Sequence, residues 1–339
     1  MFQLLTSPPT LRPSPVRILC VDGFKNDTFV IIETGIQMNQ SKEWLYKPAG
    51  WSNANTIAYL KRARKIVESF TPAEIAERLK SLSSEQEVWR ERLCLNLIAG
   101  ENLTTPMATQ LLAQATQGRG PEGLLGAKHL PGTKYLDDIE AIVCELAKKL
   151  FRAEYAEYRP PSGSIADAAV FYALTSPGDT VITPSHYGGA HVSCRPEGVA
   201  GFRGLRVVGL PFTEDYNVNT DELEKVAKEV KPRLILVGSM VILFPYPLND
   251  IRTIADEVGA RVIYDGAHVG SLIAAGMFQD PLREGADVLV INSHKMMAGP
   301  LGGIILCNDG ELADKISSAL TPGIVSALQQ NRFGGIGIT

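Results

Sequence analysis

An α/β fold, with a mostly parallel sheet covered by helices on both faces, follows from two features of this sequence. From about residue 140 the chain carries five short apolar runs rich in β-branched residues: "DTVITPS", "GLRVVGLP", "PRLILVGS", "ARVIYDG" and "ADVLVINS". Most of the gaps between them hold helical patterns such as "NTDELEKVAKEV" and "NDIRTIADEVGA". A strand that is apolar on both faces needs cover on both faces, and intervening helices provide it when successive strands run parallel.

In chain order, residues 1–16 are proline-rich, without a basic leader or a sustained apolar stretch, and read as a disordered tail rather than an export signal. Residues 17–50 hold a small β extension in which "VRILCVDGFKNDTFVIIETG" forms two strands around an Asn-Asp turn. Residues 51–94 are N-terminal helices, completing a β/helical extension ahead of the main domain. Within them Thr71 is an N-cap, Pro72 takes the first helical position and Glu74 closes a capping box. Ser84 and Glu87 repeat that pattern and predict a second helix start. Residues 95–320 form the large domain, where one helix opens at an Asn219/Thr220 cap and another ends at Gly259. Residues 321–339 begin a connection onward.

The gross composition narrows the function. A chain of 339 residues, 45% hydrophobic and 21% charged, suffices for one large core and further structure beside it. A formal charge of -4 without a basic tract excludes nucleic acid as an expected partner. No apolar stretch is long enough to cross a bilayer. The five cysteines, Cys20, Cys94, Cys144, Cys194 and Cys307, lack metal-like spacing, so reduced thiols in a cytoplasm and no metal site are expected.

Ligands of parallel sheets bind beyond the carboxyl ends of the strands. There the sequence places His186 and His191 in "SHYGGAH", Asp265 and His268 in "YDGAH", and His294 beside Lys295 in "SHK". Upstream, Ser162, Gly163 and Ser164 stand directly before a helical stretch. Each has a plain alternative: a helix cap, a packed histidine, a solvated lysine. Together they meet the needs of pyridoxal phosphate, which requires an amine, an anion site, a carboxylate for its pyridine nitrogen and a flat group against its ring. A helix N-terminus attracts the phosphate. Its dipole contributes at most about 2 kcal/mol. Millimolar binding already takes about 4 kcal/mol, so the hydroxyls, the ring contacts and the covalent bond to the amine must supply the remainder. Burial lowers the pKa of a lysine, the direction its nucleophilic form requires.

The segments "LNLIAGENLTTP", "PEGLLG", "PPSGSIADAAVFYALTSPGDTV", "GGAH", "YDGAHVGSLIAAGMF" and "SHKMMAGPLGG" resemble serine hydroxymethyltransferase in order and spacing, over roughly residues 95–330. The resemblance implies the large domain of a fold-type-I pyridoxal-phosphate transferase, in cytoplasmic one-carbon and glycine/serine metabolism, acting as a homodimer on a small amino acid. Carried across, it makes Lys295 the Schiff-base lysine, Asp265 the partner of the pyridine nitrogen and His191 the stacking ring. Ser162, Gly163 and Ser164 would hold the phosphate. His268 would lie near the cofactor oxygen and the substrate carboxylate, and His294 beside the lysine. Glu122 matches the acid/base glutamate.

Departures from the family pattern fall on the substrate side. Gly100 replaces a serine, Gly120 and Leu130 replace tyrosines, and Leu301 replaces an arginine. The chain stops at Thr339, where the family continues into a small C-terminal domain carrying a carboxylate-binding arginine, so a fragment or a completing second chain is expected. These differences leave the use of tetrahydrofolate open. Beside the hydroxymethyltransferase reading stand a folate-independent β-hydroxy amino acid aldolase or transaldolase, and a non-catalytic chain that binds the cofactor without orienting a substrate.

Overall fold

The computed structural model describes residues 17–23, 27–33 and 53–339. The expected tail over 1–16, and the part of the β extension between 34 and 50, lie outside the described residues. The chain divides into two compact units, Met1–Asn96 and Leu97–Thr339.

In the first unit, β1 (Arg17–Gly23) and β2 (Asp27–Glu33) pair antiparallel, with Arg17 opposite Glu33 and Gly23 opposite Asp27. Helix α1 (Ala54–Ser69) starts where the Asn53 side chain accepts from the Thr56 amide at 2.9 Å. Helix α2 (Pro72–Val88) has the expected capping box: Thr71 Oγ1 accepts from the Glu74 amide at 3.3 Å, and Glu74 Oε2 accepts from the Thr71 amide at 2.7 Å. The second helix start expected at Ser84 and Glu87 does not form, because α2 continues unbroken to Val88. No glycine or proline interrupts "SLSSEQEV", so the backbone ladder simply carries on. The local carboxylate Glu85 accepts from Ser81 at 2.6 Å and from Arg78 at 3.0 Å, which supports the helix interior instead of a cap.

The second unit opens with α3 (Pro106–Leu112), a two-strand ribbon of β3 (Gly123–Leu124) and β4 (Ala127–Lys128), and α4 (Lys134–Phe151). Then come β5 (Tyr155–Glu157), α5 (Gly163–Leu174), β6 (Thr180–Pro184), β7 (Arg206–Leu210), β8 (Leu234–Val237), β9 (Arg261–Asp265), β10 (Val288–Asn292) and β11 (Gly303–Cys307). They make a seven-stranded sheet in the order β5-β11-β10-β9-β8-β6-β7. The five strands expected from sequence are its parallel portion. The two strands not expected, β11 and β5, join antiparallel at one edge. An antiparallel partner needs no crossover helix, so β11 turns back through residues 293–302 alone.

Alternation along each strand feeds two cores. Leu234 and Leu236 of β8 pack with Val181, Ile263, Val290 and the buried face of α5. Ile235 and Val237 point the other way, against Ile182, Tyr264 and the helices Thr220–Val230 and Leu248–Val258. Each large apolar side chain removed from water in this way contributes about 1.5–3 kcal/mol. Among the described residues no helix is long and apolar enough to cross a membrane.

Two details tighten the sheet around its carboxyl end. The buried guanidinium of Arg332, 4% exposed, donates to the carbonyls of Pro160 at 2.8 Å and Arg159 at 2.7 Å. The Gly303 amide also donates to Pro160 O at 2.9 Å, so the chain entering α5 is held from two sides. Gly238, just past β8, has φ +111, and a Cβ there would meet the Asp265 amide nitrogen at 2.8 Å. Gly238→Ala is expected to lower stability by about 2 kcal/mol through strain and crowding, read as a lowered urea midpoint; an unchanged midpoint contradicts this packing.

Candidate functional site

Beyond the carboxyl ends of β9 and β10 lies a cavity of about 170 Å³. Four chain segments bring their side chains to it: the start of α5, the end of β9, the loop after β10, and the loop after β6 that carries His191.

The first is the start of α5. Ser162 is its N-cap, and its hydroxyl accepts from the Ile165 amide at 3.3 Å. The first helical hydrogen bond runs from Ala166 N to Ser162 O at 3.0 Å, so the amides of Gly163 and Ser164 precede the ladder and add positive potential at the cavity wall. A Cβ on Gly163 would overlap the Asn292 carboxamide, so only glycine lets α5 approach β10 this closely. The Oδ1 of Asn292, also a cavity residue, is buried without a partner.

The second segment is the end of β9. Asp265 is its last residue, 7% exposed, and its Oδ1 accepts from the Ala267 amide at 3.0 Å. Burial raises its pKa most, while that amide and the neighbouring Lys295 oppose the rise.

The third is the loop 293–302 between β10 and β11. Ser293 anchors it, donating from its amide to Gly302 O at 3.0 Å and from its hydroxyl to Pro300 O at 2.6 Å, while Gly299 N donates back to Ser293 O at 2.7 Å. Ala298 takes a left-handed φ of 56, and its amide donates to Lys295 O at 2.9 Å. Such a conformation costs a non-glycine residue about 1 kcal/mol or more, and the surrounding hydrogen bonds hold it. The loop presents His294 and Lys295 to the cavity.

Lys295 Nζ stands 2.9 Å from His268 Nε2. With the ammonium as donor, His268 accepts and is neutral. Burial, then the charge of Lys295, pushes the His268 pKa down to about 4. Burial likewise lowers the Lys295 pKa, against the attraction of Asp265 and Asp167. His191, on the loop after β6, is half-buried, and burial lowers its pKa too. Its Nδ1 lies 2.8 Å from Ser193 Oγ and 3.2 Å from the Ser193 amide.

The cavity thus brings together Ser162, Gly163, Ser164, His191, Asp265, His294 and Lys295, with His268 in contact through Lys295. Glu122 is not among its lining residues. It is half-buried just before β3, where its carbonyl accepts from the His129 amide at 2.9 Å. Of the departures in sequence, Leu301 lines the cavity, and Gly100 sits where a Cβ would come 3.3 Å from His268 Cε1. Gly120 faces Ala327 instead, a Cβ there standing 3.1 Å from the alanine Cβ. One charged residue of the cavity was not singled out from the sequence: Asp167, 5% exposed, whose Oδ2 accepts from Ser193 Oγ at 2.6 Å. A signal existed, since it is the sole charged residue in "GSIADAAVFYAL".

The depressed pKa of His268 makes the stability of the fold depend on pH. An unfolded chain protonates this ring near 6.5, the folded one only near 4. Between those values the unfolded state binds more protons, so this contribution is present above about pH 6.5 and is lost as pH falls through about 4. His268→Gln is expected to flatten the fall of the urea midpoint between those pH values; an equally steep fall contradicts a buried neutral His268.

The serine hydroxymethyltransferase family model matches residues 74–334. The chain is 45% identical over 266 residues to a protein of Methanothermobacter marburgensis named serine hydroxymethyltransferase, covering 78% of this chain and 62% of that one. A protein of the same name from Pyrococcus furiosus is 41% identical over 273 residues, covering 79% and 64%. One from Methanocaldococcus jannaschii is 42% identical over 267 residues, covering 78% and 62%. The chain therefore spans less than two thirds of the length of these relatives.

Proposed function

The chain belongs to the serine hydroxymethyltransferase family, and we propose that it binds pyridoxal phosphate through Lys295 and acts on a small amino acid. The reaction would interconvert serine and glycine or perform a related Cα–Cβ aldol cleavage. The observation that carries this reading is the convergence of one half-buried amine, one buried carboxylate at a strand end and one helix N-terminus on a single small cavity.

The residues present fit the group. Ser162, Gly163 and Ser164 offer hydroxyls and free amides to a phosphate at the start of α5. Asp265, already poised by the Ala267 amide, would hold a proton on a pyridine nitrogen as its ion-pair partner. His191 offers a flat, uncharged face. Buried, unpartnered acceptors in the cavity, Asn292 Oδ1 and Asp167 Oδ1, expect polar company from whatever fills it. When bound, pyridoxal phosphate supplies an electron sink for the charge left at Cα when a bond to it breaks.

The chain's own groups would then do the following. Lys295 gives up a proton, which its burial favours, and its amine makes and releases the covalent attachment. His268, neutral and in contact with Nζ, can accept that hydrogen bond without adding a competing charge. Glu122 would exchange protons with the substrate hydroxyl. Homodimerisation is part of the same proposal, supported by the exposed Leu124, Leu125 and Leu130 in the segment that follows Glu122. Gly120 and Leu130, standing where the family has tyrosines, favour as a second reading an aldolase that works without tetrahydrofolate.

Two measurements test the proposal. Protein mixed with pyridoxal phosphate is expected to show a visible absorption band that Lys295→Ala lacks while keeping its circular dichroism; an equally coloured variant removes Lys295 from the role. Serine cleavage is then measured with and without tetrahydrofolate, followed by β-hydroxy amino acids without it. Dependence on the folate supports the hydroxymethyltransferase, indifference supports the aldolase, and no turnover of any amino acid contradicts both.

A further inference from the structure

We propose that Asp167 is the neutral acid of the cavity: a positioning residue that keeps its proton while Asp265 carries the charge, and that fixes the His191 ring through Ser193. The inference rests on the cavity assigned above to pyridoxal phosphate and deepens that reading, but it concerns side chains the chain itself supplies.

Counting protons along three contacts leads to it. The Ser193 amide can only donate, so His191 Nδ1, 3.2 Å away, is an acceptor, and the ring proton of the neutral imidazole sits on Nε2. Ser193 Oγ lies 2.8 Å from the same Nδ1 and 2.6 Å from Asp167 Oδ2. A hydroxyl has one proton and cannot donate to both. If Asp167 is ionised, the hydroxyl serves the carboxylate and leaves the 2.8 Å contact to Nδ1 as two facing lone pairs. If Asp167 is protonated, it donates to Ser193 Oγ, which donates to Nδ1, and each contact has a donor and an acceptor. The chain then runs in one direction, from Asp167 through Ser193 to a ring whose Nε2 is the donor.

Charge points the same way. Asp167 and Asp265 are both buried and both face the cavity, where Lys295 is the cation acting on each. A single protonated ring nitrogen can be matched by one carboxylate, and a second buried anion beside it would be uncompensated. Asp265 ends a strand and takes an amide hydrogen bond on its carboxylate. Asp167 lies beyond the first turn of α5, where the helix dipole has faded, and has no amide partner. Burial and then the charge of Asp265 push its carboxyl up to about 8, against Ser193 and Lys295.

Other groups around α5 do not change this balance. Cys194, on the segment packed beside it, is a thiol raised by its own burial, as is Cys307 of β11. The helix Gly310–Ser318 holds Glu311, Asp314 and Lys315 in solvent. Residues 319–324, "ALTPGI", and strand β10 carry no titratable side chain.

The test begins with cofactor-free protein labelled with ¹³C at aspartate carboxyls and titrated by NMR. One carboxyl resonance is expected to titrate near pH 8 and to be missing in Asp167→Asn. Every aspartate titrating below about pH 5, or a high-titrating signal that survives in the variant, overturns the proposal. A second arm adds pyridoxal phosphate and follows its visible band. Asp167→Asn, neutral and similar in shape, is expected to bind within about threefold of the parent, and Asp167→Ala to bind at least about tenfold more weakly. Equal weakening in both variants means that the charge is needed and sinks the proposal. A parent protein that never colours refutes the proposed function, while the cofactor-free titration still decides the state of Asp167.

Discussion

Lys295 places an amine against a neutral histidine at the carboxyl end of a buried sheet, with the carboxylate of Asp265 acting on it. An ammonium in that position loses water that protein groups replace only in part, and each pKa unit of the imbalance corresponds to about 1.4 kcal/mol. Asp265, which carries the charge, pulls toward the charged form, and burial pulls the other way and prevails. The carboxyls of Asp265 and Asp167 are raised by burial as well, so the three groups share fewer charges than they would in water. The rest of the large unit can be understood as what keeps these groups close and dry.

That arrangement depends on where chain segments can approach one another. Because β11 runs back antiparallel to β10, the loop carrying Lys295 is tied at both ends, with Asn292 opposite Gly303. Because Gly163 has no side chain, α5 can lie against Asn292, bringing its first turn and Asp167 to the same cavity. Because Gly238 is tolerated at φ +111, β8 can end against the backbone of Asp265. Arg332, from the helix Gln330–Ile338, holds the carbonyls that lead into α5, so a residue far along the chain steadies the anion-attracting end.

Much of this is legible in the sequence. The five parallel strands announce themselves because they are apolar on both faces, and the helices between them carry ordinary caps such as Asn219 and Gly259. The two antiparallel strands did not: β5 is three residues long and half-polar, and "GIILC" follows so closely on a glycine-rich loop that it reads as part of it. Ser84 and Glu87 misled because a capping pattern means something only where the preceding chain leaves the helix. At the site, Asp265 and Lys295 were visible from their positions at strand ends. Asp167 was not, since an acidic residue near a helix start is commonplace, and only the folded sheet brings it near Asp265. Glu122 came from family resemblance alone, and it stands outside the cavity lining.

The central claim is that Lys295, rather than any of the other lysines, is the amine that bonds the cofactor. Protein incubated with pyridoxal phosphate, reduced with borohydride and digested should yield one modified peptide, the one containing "SHKMMAGPLGG". Modification elsewhere, or spread over exposed lysines with that peptide untouched, would contradict the account.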